Sequence, residues 1–384
     1  MRRSRRLLIV LVVALAFVAG FGLATLLAGT AGTASARGQE RLYREVLQDL
    51  QSDYYRPVDV ARLGQAGVNG LLASLHDPYT VYFTRQQATA FDQELSGTYT
   101  GIGTEVDSSH GRLTITRVFA GSPAARAGVR PGDVIVAVNG ISAAGRSVND
   151  VVSRILGPAG THVSVQLRRG TALIDLTLTR GTITRPLTAS RLIVAHGKKV
   201  GYVALSAFAS GAGQQIGRDV AALQRRGAQS IILDLRDNGG GLVDEAVKVA
   251  SDFLPPGRVV ATERGLHVPT TVLKTVAAQA TGLPLVVLVN GNTASASEIV
   301  TGALQDDGRA TVIGTRTFGK GVVQTVLPLP GGASLKITIA AYLTPHGRNI
   351  NHKGLQPDIV VAQPAHTTVD LALLRALRFL TTGH

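Results

Sequence analysis

Leu285-Val286-Val287-Leu288-Val289, running into Asn290-Gly291-Asn292-Thr293-Ala294-Ser295-Ala296-Ser297-Glu298, decides how this chain is read. Five consecutive apolar residues ending at an Asn-Gly turn predict a buried strand, and the pattern over Ala296–Asp306 predicts a helix. Ser295 therefore stands at a strand-to-helix corner. Further on, a lysine lies alone between glycines in Phe318-Gly319-Lys320-Gly321, with no charged residue closer than Arg316. A corner serine with a secluded lysine nearby is the layout of hydrolytic chemistry in which lysine replaces histidine as the base.

A second corner lies upstream. Ile231-Ile232-Leu233-Asp234-Leu235 ends in Arg236-Asp237-Asn238-Gly239-Gly240-Gly241 and feeds another helix. If the two strands are parallel neighbours, both corners share one edge of the sheet. Two helix N-termini then converge, each offering unpaired N–H groups and the positive end of a dipole. A tetrahedral oxyanion needs such donors, and losing one costs about 3–4 kcal/mol. The donors expected here are the amides of Gly240 and Ala296.

Free lysine has a pKa of about 10.4, and lowering it three units costs about 4 kcal/mol, which burial away from carboxylates can supply. Lys320 has the local sequence for that. Gln324, four residues on, falls on the same face of a strand and can hydrogen-bond the amine. Ser297 is the alternative nucleophile, although a serine in the first helical turn more often bonds locally. Glu298 reads as a first-turn carboxylate serving the cap and the dipole. The nine histidines lie in no recognisable catalytic setting, and His267, His346 and His352 fall among loop residues. Gly-x-Ser-x-Gly and His-Glu-x-x-His are both absent, so neither a histidine triad nor a zinc peptidase is indicated.

Composition narrows the class further. The 384 residues suffice for two or three domains, and the lack of cysteine excludes thiol catalysis, disulfides and cysteine-bound metal. Of the net charge of +14, five positives come from Arg2, Arg3, Arg5, Arg6 and Arg37, all before the first acid, Glu40. No aromatic-basic pattern accompanies the charge, so no nucleic-acid partner is expected, and no cofactor or metal is called for. Leu7–Ala28 is an apolar run of 22 residues behind four arginines. A spanning helix needs about 20 residues and a signal-peptide core about 7–15. The length favours an uncleaved single-pass anchor with the arginines in the cytoplasm. Ala34-Ser35-Ala36 offers a cleavage site for the alternative, a secreted or periplasmic body. Export is expected either way.

Along the chain, 1–36 is the anchor or signal segment and 38–96 reads as a helical segment packing on the core. Leu42, Val46 and Leu50, then Val60, Leu63, Val68, Leu71, Leu72 and Leu75, recur at helical spacing. Asp77-Pro78-Tyr79-Thr80 punctuates it, and a helix resumes over Thr84–Leu95. Over 97–182 the pattern turns glycine-rich and strand-like. Thr100-Gly101-Ile102-Gly103, Ser122-Pro123-Ala124-Ala125, Pro131-Gly132-Asp133 and Asn139-Gly140 follow in order. This resembles a PDZ domain, a partly open barrel with helices. The resemblance implies that amides of Thr100, Gly101, Ile102 and Gly103 hold a peptide's terminal carboxylate and that Val151 lines an apolar pocket. Residues 183–384 alternate strands (Lys199–Leu205, Ser230–Leu235, Leu285–Val289, Ala310–Ile313) with helices (Ala212–Arg226, Leu242–Phe253, Ala296–Asp306). Thr325–Tyr342 reads as a hairpin closed at Pro330-Gly331-Gly332. The fold class is α/β: a core with a parallel sheet and helices, an inserted PDZ domain and an N-terminal helical segment.

Six motifs in order carry a larger resemblance: Asp77-Pro78-Tyr79-Thr80, the Gly-Ile-Gly PDZ loop, Leu233–Gly241, Thr293–Ile299, Phe318–Gly321 and Gly354-Leu355-Gln356-Pro357-Asp358. From about residue 40 to 362 the chain resembles the C-terminal processing peptidases, or tail-specific proteases. The resemblance implies an exported, cofactor-independent endopeptidase with Ser295 as nucleophile, Lys320 as general base and Gln324 as the lysine's partner. Its substrates would be proteins with free, apolar C-termini, and a homo-oligomer is compatible with it. Thr293 and Gly239 stand where many members have serine and proline, and Leu156 where members commonly have arginine. Two other classes compete: a PDZ adaptor with an inactive core, and an acyl-transferring or ester-cleaving enzyme on the same core.

Overall fold

The computed structural model describes residues 37–109, 112–276, 280–364 and 367–383. Leu7–Ala28 and Ala34-Ser35-Ala36 lie outside these residues, so the anchor and cleavage expectations do as well. Among the described residues no helix is long and apolar enough to cross a membrane. The chain divides into two compact units, Met1–Tyr82 and Phe83–His384, the division falling inside the expected 38–96 segment.

In the first unit the helical periodicity resolves into two helices, 37–53 and Val60–Ala73. Pro57 cannot continue the first, and Asp59 caps the second by accepting from the Arg62 amide at 3.1 Å. The Tyr43 hydroxyl donates to the Gly64 carbonyl at 3.3 Å and ties the pair together.

The larger unit is built on a six-stranded sheet in the order Thr188–Ala195, Lys198–Leu205, Ser230–Asp234, Leu285–Val289, Thr311–Gly314, Ile359–Val360. The first two strands are antiparallel and every later pair is parallel. Helices Ala212–Arg225, Val243–Ser251 and Ala296–Asp306 cover one face, packing on Val203, Leu205, Ile231, Leu233, Val287 and Val312. The C-terminal helix Leu371–Thr382 covers the other through Ala372, Ala376 and Leu377 on Val200, Tyr202, Ile232, Val286 and Ile313. Burial on both faces is why the central strands read as unbroken apolar runs.

A second sheet adjoins the core. The hairpin Val322–Pro328 and Ser334–Leu343, closed by a 3-10 turn at Pro330–Gly332, pairs with Val259–Arg264, which pairs with Thr271–Lys274. The PDZ sheet runs Thr104–Ser109, Arg112–Val118, Val134–Val138, His162–Arg169, Ala172–Thr179, so Thr104–Ser109 is an edge strand. Helix Val148–Ile155 packs beside that edge. Entry to and exit from this domain form a two-stranded ribbon, Thr98–Gly101 against Gly181–Thr184. The sequence reading missed strands Thr188–Ala195, Val259–Arg264 and Thr271–Lys274 and helix Leu371–Thr382.

Candidate active site

The parallel pairing of Ser230–Asp234 with Leu285–Val289, in register from Ile231↔Leu285 to Asp234↔Leu288, brings both corners to the same sheet edge. Side chains then bind the two loops to each other. The Thr293 hydroxyl donates to the Leu235 carbonyl at 2.9 Å. The Asp237 carboxylate accepts from the side-chain amides of Asn292 and Asn290 at 2.8 and 2.9 Å, and these bonds hold its pKa below the usual value. Asn238, fully buried, is the main fastener. Its carbonyl accepts from the Ala294 amide at 3.0 Å and from the Ser297 hydroxyl at 2.9 Å, and its side chain donates to Leu205. Ser297 is thus buried and committed, which removes it as the alternative nucleophile.

Ser295 opens helix Ala296–Asp306 with φ 57° and ψ −118°, a left-handed conformation unusual for a residue with a side chain. Such strain costs about 1–3 kcal/mol and persists only where the surroundings over-determine it. Here they do. The Ser295 amide donates to Glu298 Oε2 at 2.9 Å, and the Tyr342 hydroxyl lies 3.1 Å from the Ser295 carbonyl.

The same two residues hold the lysine loop. Glu298 Oε2 also accepts from the Lys320 amide at 2.9 Å, while Oε1 accepts from the Gly319 amide at 2.8 Å and from the Thr317 hydroxyl. The Tyr342 hydroxyl donates to the Lys320 carbonyl at 2.6 Å. The amides of Ser295 and Lys320 share one carboxylate oxygen, so they cannot be further apart than twice 2.9 Å. Residues distant in sequence are thereby brought together through a fully buried glutamate and a tyrosine 1% exposed. The sequence reading gave Glu298 only a capping role; it does cap, and it also anchors the lysine loop. Lys320 is half-buried, and its main-chain amide is held by the Glu298 carboxylate. From below, Gly354-Leu355 supports the loop through the Leu355 amide on the Thr317 hydroxyl at 2.7 Å. His352 donates its amide to the Gly319 carbonyl, but its side chain is exposed, as read.

Gly240 lies against Ser295. A Cβ placed there would meet Ser295 Cβ at 2.8 Å and the Ala296 nitrogen at 2.9 Å, and its φ of 100° also demands glycine. Its amide, however, donates to Asn238 Oδ1 at 2.9 Å, so an oxyanion would have to displace that side chain. This amends the expectation of a ready donor. The Ala296 amide opens the helix, where the first turn leaves N–H groups without acceptors inside the helix. Gln324 begins the strand after a bulge, and its side-chain amide donates to the Thr338 hydroxyl at 3.4 Å. On the opposite face of the sheet edge lies a cavity of about 460 Å³ lined by Tyr202, Asp234, Arg236, Asp237 and Asn290. There Arg236 bridges Asp234 and Asp370 and ties the C-terminal helix to the strand.

In the PDZ domain, Gly103 has φ 83°, and a Cβ there would overlap Ser122 Cβ at 2.2 Å. The carbonyls of Ile102 and Gly103 accept from Ala124 and Phe119, which fixes the loop from its carbonyl side. Thr100 and Gly101 pair with Thr182 and Gly181 in the ribbon. Val151 is corrected as a pocket residue: only 1% exposed, it packs in the domain core with Ile102, Val163 and Leu167. Val148, half-buried, packs against the same core, and half-buried Val152 lies one helical turn further on.

Comparison with known proteins identifies the two kinds of domain. Residues 199–361 match the model of peptidase family S41, and residues 114–169 match a PDZ domain. The carboxy-terminal processing protease CtpA of Bacillus subtilis (strain 168) is 35% identical over 318 residues, covering 83% of this chain and 68% of that protein. This chain belongs to the S41 peptidase family. A probable CtpA-like serine protease of Staphylococcus aureus (strain COL) is 37% identical over 332 residues, and the chain spans 65% of that relative's length. Among solved structures, a photosystem II D1 C-terminal processing protease aligns with TM-score 0.52 and 32% identity, over 86% of this chain and 89% of that one.

Proposed function

We propose that this S41 family member is a serine endopeptidase that captures protein C-termini on its PDZ domain and cleaves upstream with Ser295 and Lys320. The observation that carries the reading is the shared anchoring of these two residues on Glu298 and Tyr342. In the reaction, the neutral Lys320 amine takes the Ser295 hydroxyl proton as Oγ bonds to the substrate carbonyl carbon. The oxyanion is received by the Ala296 amide, joined by Gly240 once Asn238 Oδ1 gives way. The Lys320 ammonium returns the proton to the departing amine as the C–N bond breaks, leaving an ester on Ser295. Lys320 then deprotonates a water that hydrolyses the ester. Gln324 orients the lysine from the adjoining strand. The body works outside the cytoplasm, held by Leu7–Ala28 or released by cleavage after it.

The test uses a tailed, unfolded protein substrate. Ser295→Ala and Lys320→Ala should each abolish cleavage, with the double variant no worse than either single one, because nucleophile and base act as a unit. Lys320→Arg should also be inactive, since guanidinium stays protonated. Binding without cleavage by the unaltered chain across pH 6–9 would instead favour a PDZ adaptor.

A further inference from the structure

We infer that Phe318 is a specificity-determining residue, its ring forming one wall of a subsite for an aliphatic side chain of the substrate beside the scissile bond. This rests on the proposed peptidase reading and deepens it by naming what is selected at the cut. The ring is 55% exposed, and Phe318 is the only exposed phenylalanine among the described residues. It stands two residues before Lys320, and its amide donates at 3.0 Å to the carbonyl of Thr293, two residues before Ser295. A substrate bond that reaches both Ser295 and Lys320 brings its neighbouring side chains within reach of this loop.

The backbone that carries the ring does not depend on it. All five amides from Thr317 to Gly321 donate outside the loop: to the Leu355 carbonyl at 3.1 Å, the Thr293 carbonyl, the two Glu298 oxygens and Asn351 Oδ1 at 3.2 Å. Gly319, with φ 90°, is seated so closely on the next loop that a Cβ would meet the Gly354 nitrogen at 2.7 Å. Main-chain bonds thus fix the loop, and position 318 could carry a polar side chain at less cost in water. A ring held on so rigid a platform loses little freedom on binding, and aromatic side chains presented this way are common anchors of bound chains. The surroundings select the occupant. Arg316 donates to Gln356 Oε1 at 3.0 Å, and Lys320 acts in the proposed reaction as the neutral amine. A charged side chain would lose water against the ring without gaining a fixed partner. An aliphatic one gains by the same exchange.

The experiment uses a series of peptides with a free apolar C-terminus, in which each residue flanking the cleavage point is varied in turn among valine, leucine, serine, aspartate and lysine. With the unaltered chain, kcat/KM at one of these positions should be about tenfold or more higher for valine or leucine than for aspartate. Phe318→Ala should erase that preference at that position and no other, Phe318→Leu should keep it, and the pH profile should be the same in all three chains. A fall by one common factor across the whole series would make the ring a structural part of the Lys320 loop and overturn the inference. A preference untouched by Phe318→Ala overturns it too, as does a preference for lysine, which would put a cation on the ring. The chain has no tryptophan, so Phe318→Trp in a Ser295→Ala background places a single reporter at the site without turnover. A saturating valine peptide should shift its emission to the blue, and the aspartate peptide should not. No shift at saturation overturns the inference whether or not the chain cleaves. A selective shift together with no cleavage by the unaltered chain supports the subsite and sinks the dyad.

Discussion

Glu298 has acceptor capacity for about four hydrogen bonds, and four donors use it: the amides of Ser295, Gly319 and Lys320 and the hydroxyl of Thr317. Converting one oxygen to an NH2 group sets donors against donors, and each buried donor left unpaired costs about 1–3 kcal/mol. Glu298→Gln should therefore lower the thermal midpoint and reduce kcat by about a hundredfold or more, as the Ser295 corner and the lysine loop come apart; unchanged kcat would mean they are held by other contacts. Tyr342→Phe removes the bridge between the two carbonyls. It should lower kcat, leave KM nearly unchanged and spare the fold, a split measurable by steady-state kinetics. Neither role could be read from the chain. Ser295 and Glu298 fit an ordinary capping box in sequence, and the donors that raise Glu298 above a cap come from a loop that only tertiary folding delivers. The place of Ser295 at a strand-to-helix corner was legible because a buried apolar strand and an Asn-Gly turn leave local marks in the sequence.

At the scale of elements, the PDZ turn offers a pH test. Asp133 is buried and accepts two bonds from Arg169, at 2.7 and 2.8 Å, and one from the Arg130 amide at 2.8 Å. The Arg169 hydrogen bonds, foremost, hold its pKa below the usual carboxylate value. A depressed folded pKa means stability that is present above the unfolded value of about 3.9 and lost as pH falls through the folded one. Asp133→Asn should thus destabilise the domain at pH 7, and the gap to the unaltered chain should close in acid below about pH 4. Denaturant melts at both pH values measure it; a gap that persists in acid would rule out the ionised pair as its source. Glycines in the carboxylate loop separate fold from binding. Gly103→Ala should unfold the domain, since its Cβ would overlap Ser122. Gly101→Val meets the movable Leu156 side chain first, at 3.1 Å from a Cβ, and should weaken tail-peptide binding with less loss of stability. The central strands were legible because both faces are buried. Thr188–Ala195 was not, because it is an outer strand with mixed exposure whose apolar residues, Leu192–Ala195, fill only its second half. Val151 was misassigned because one helical residue separates the core face from the groove face.

At the scale of the whole molecule, and under the proposed function, tail selection and cutting fall to different domains of the larger unit. Amidating a substrate's C-terminus removes the charge the PDZ loop would hold, and charge-assisted bonds contribute roughly 1.5–3 kcal/mol. Below saturation, cleavage should fall about tenfold or more. Equal rates for amidated and free-acid substrates would leave recognition to the peptidase core alone. The order of domains was legible from motifs that each carry their own turn chemistry. The boundary at Tyr82 was not, since helical periodicity runs on either side of it. One feature of the plan bears on how the protein is made. The PDZ domain leaves and rejoins the core through a two-stranded ribbon, with the Arg185 amide bonded to the Gly97 carbonyl at its base. The core is thus a single folding unit whose sequence is interrupted, and the strands of its six-stranded sheet all lie downstream of the interruption. During synthesis the inserted domain is complete before any strand of that sheet has emerged, and domains generally fold as units in that order. The ribbon then presents a finished module to the nascent sheet, and the Ser295 corner, which needs two distant strands and the Lys320 loop, closes last.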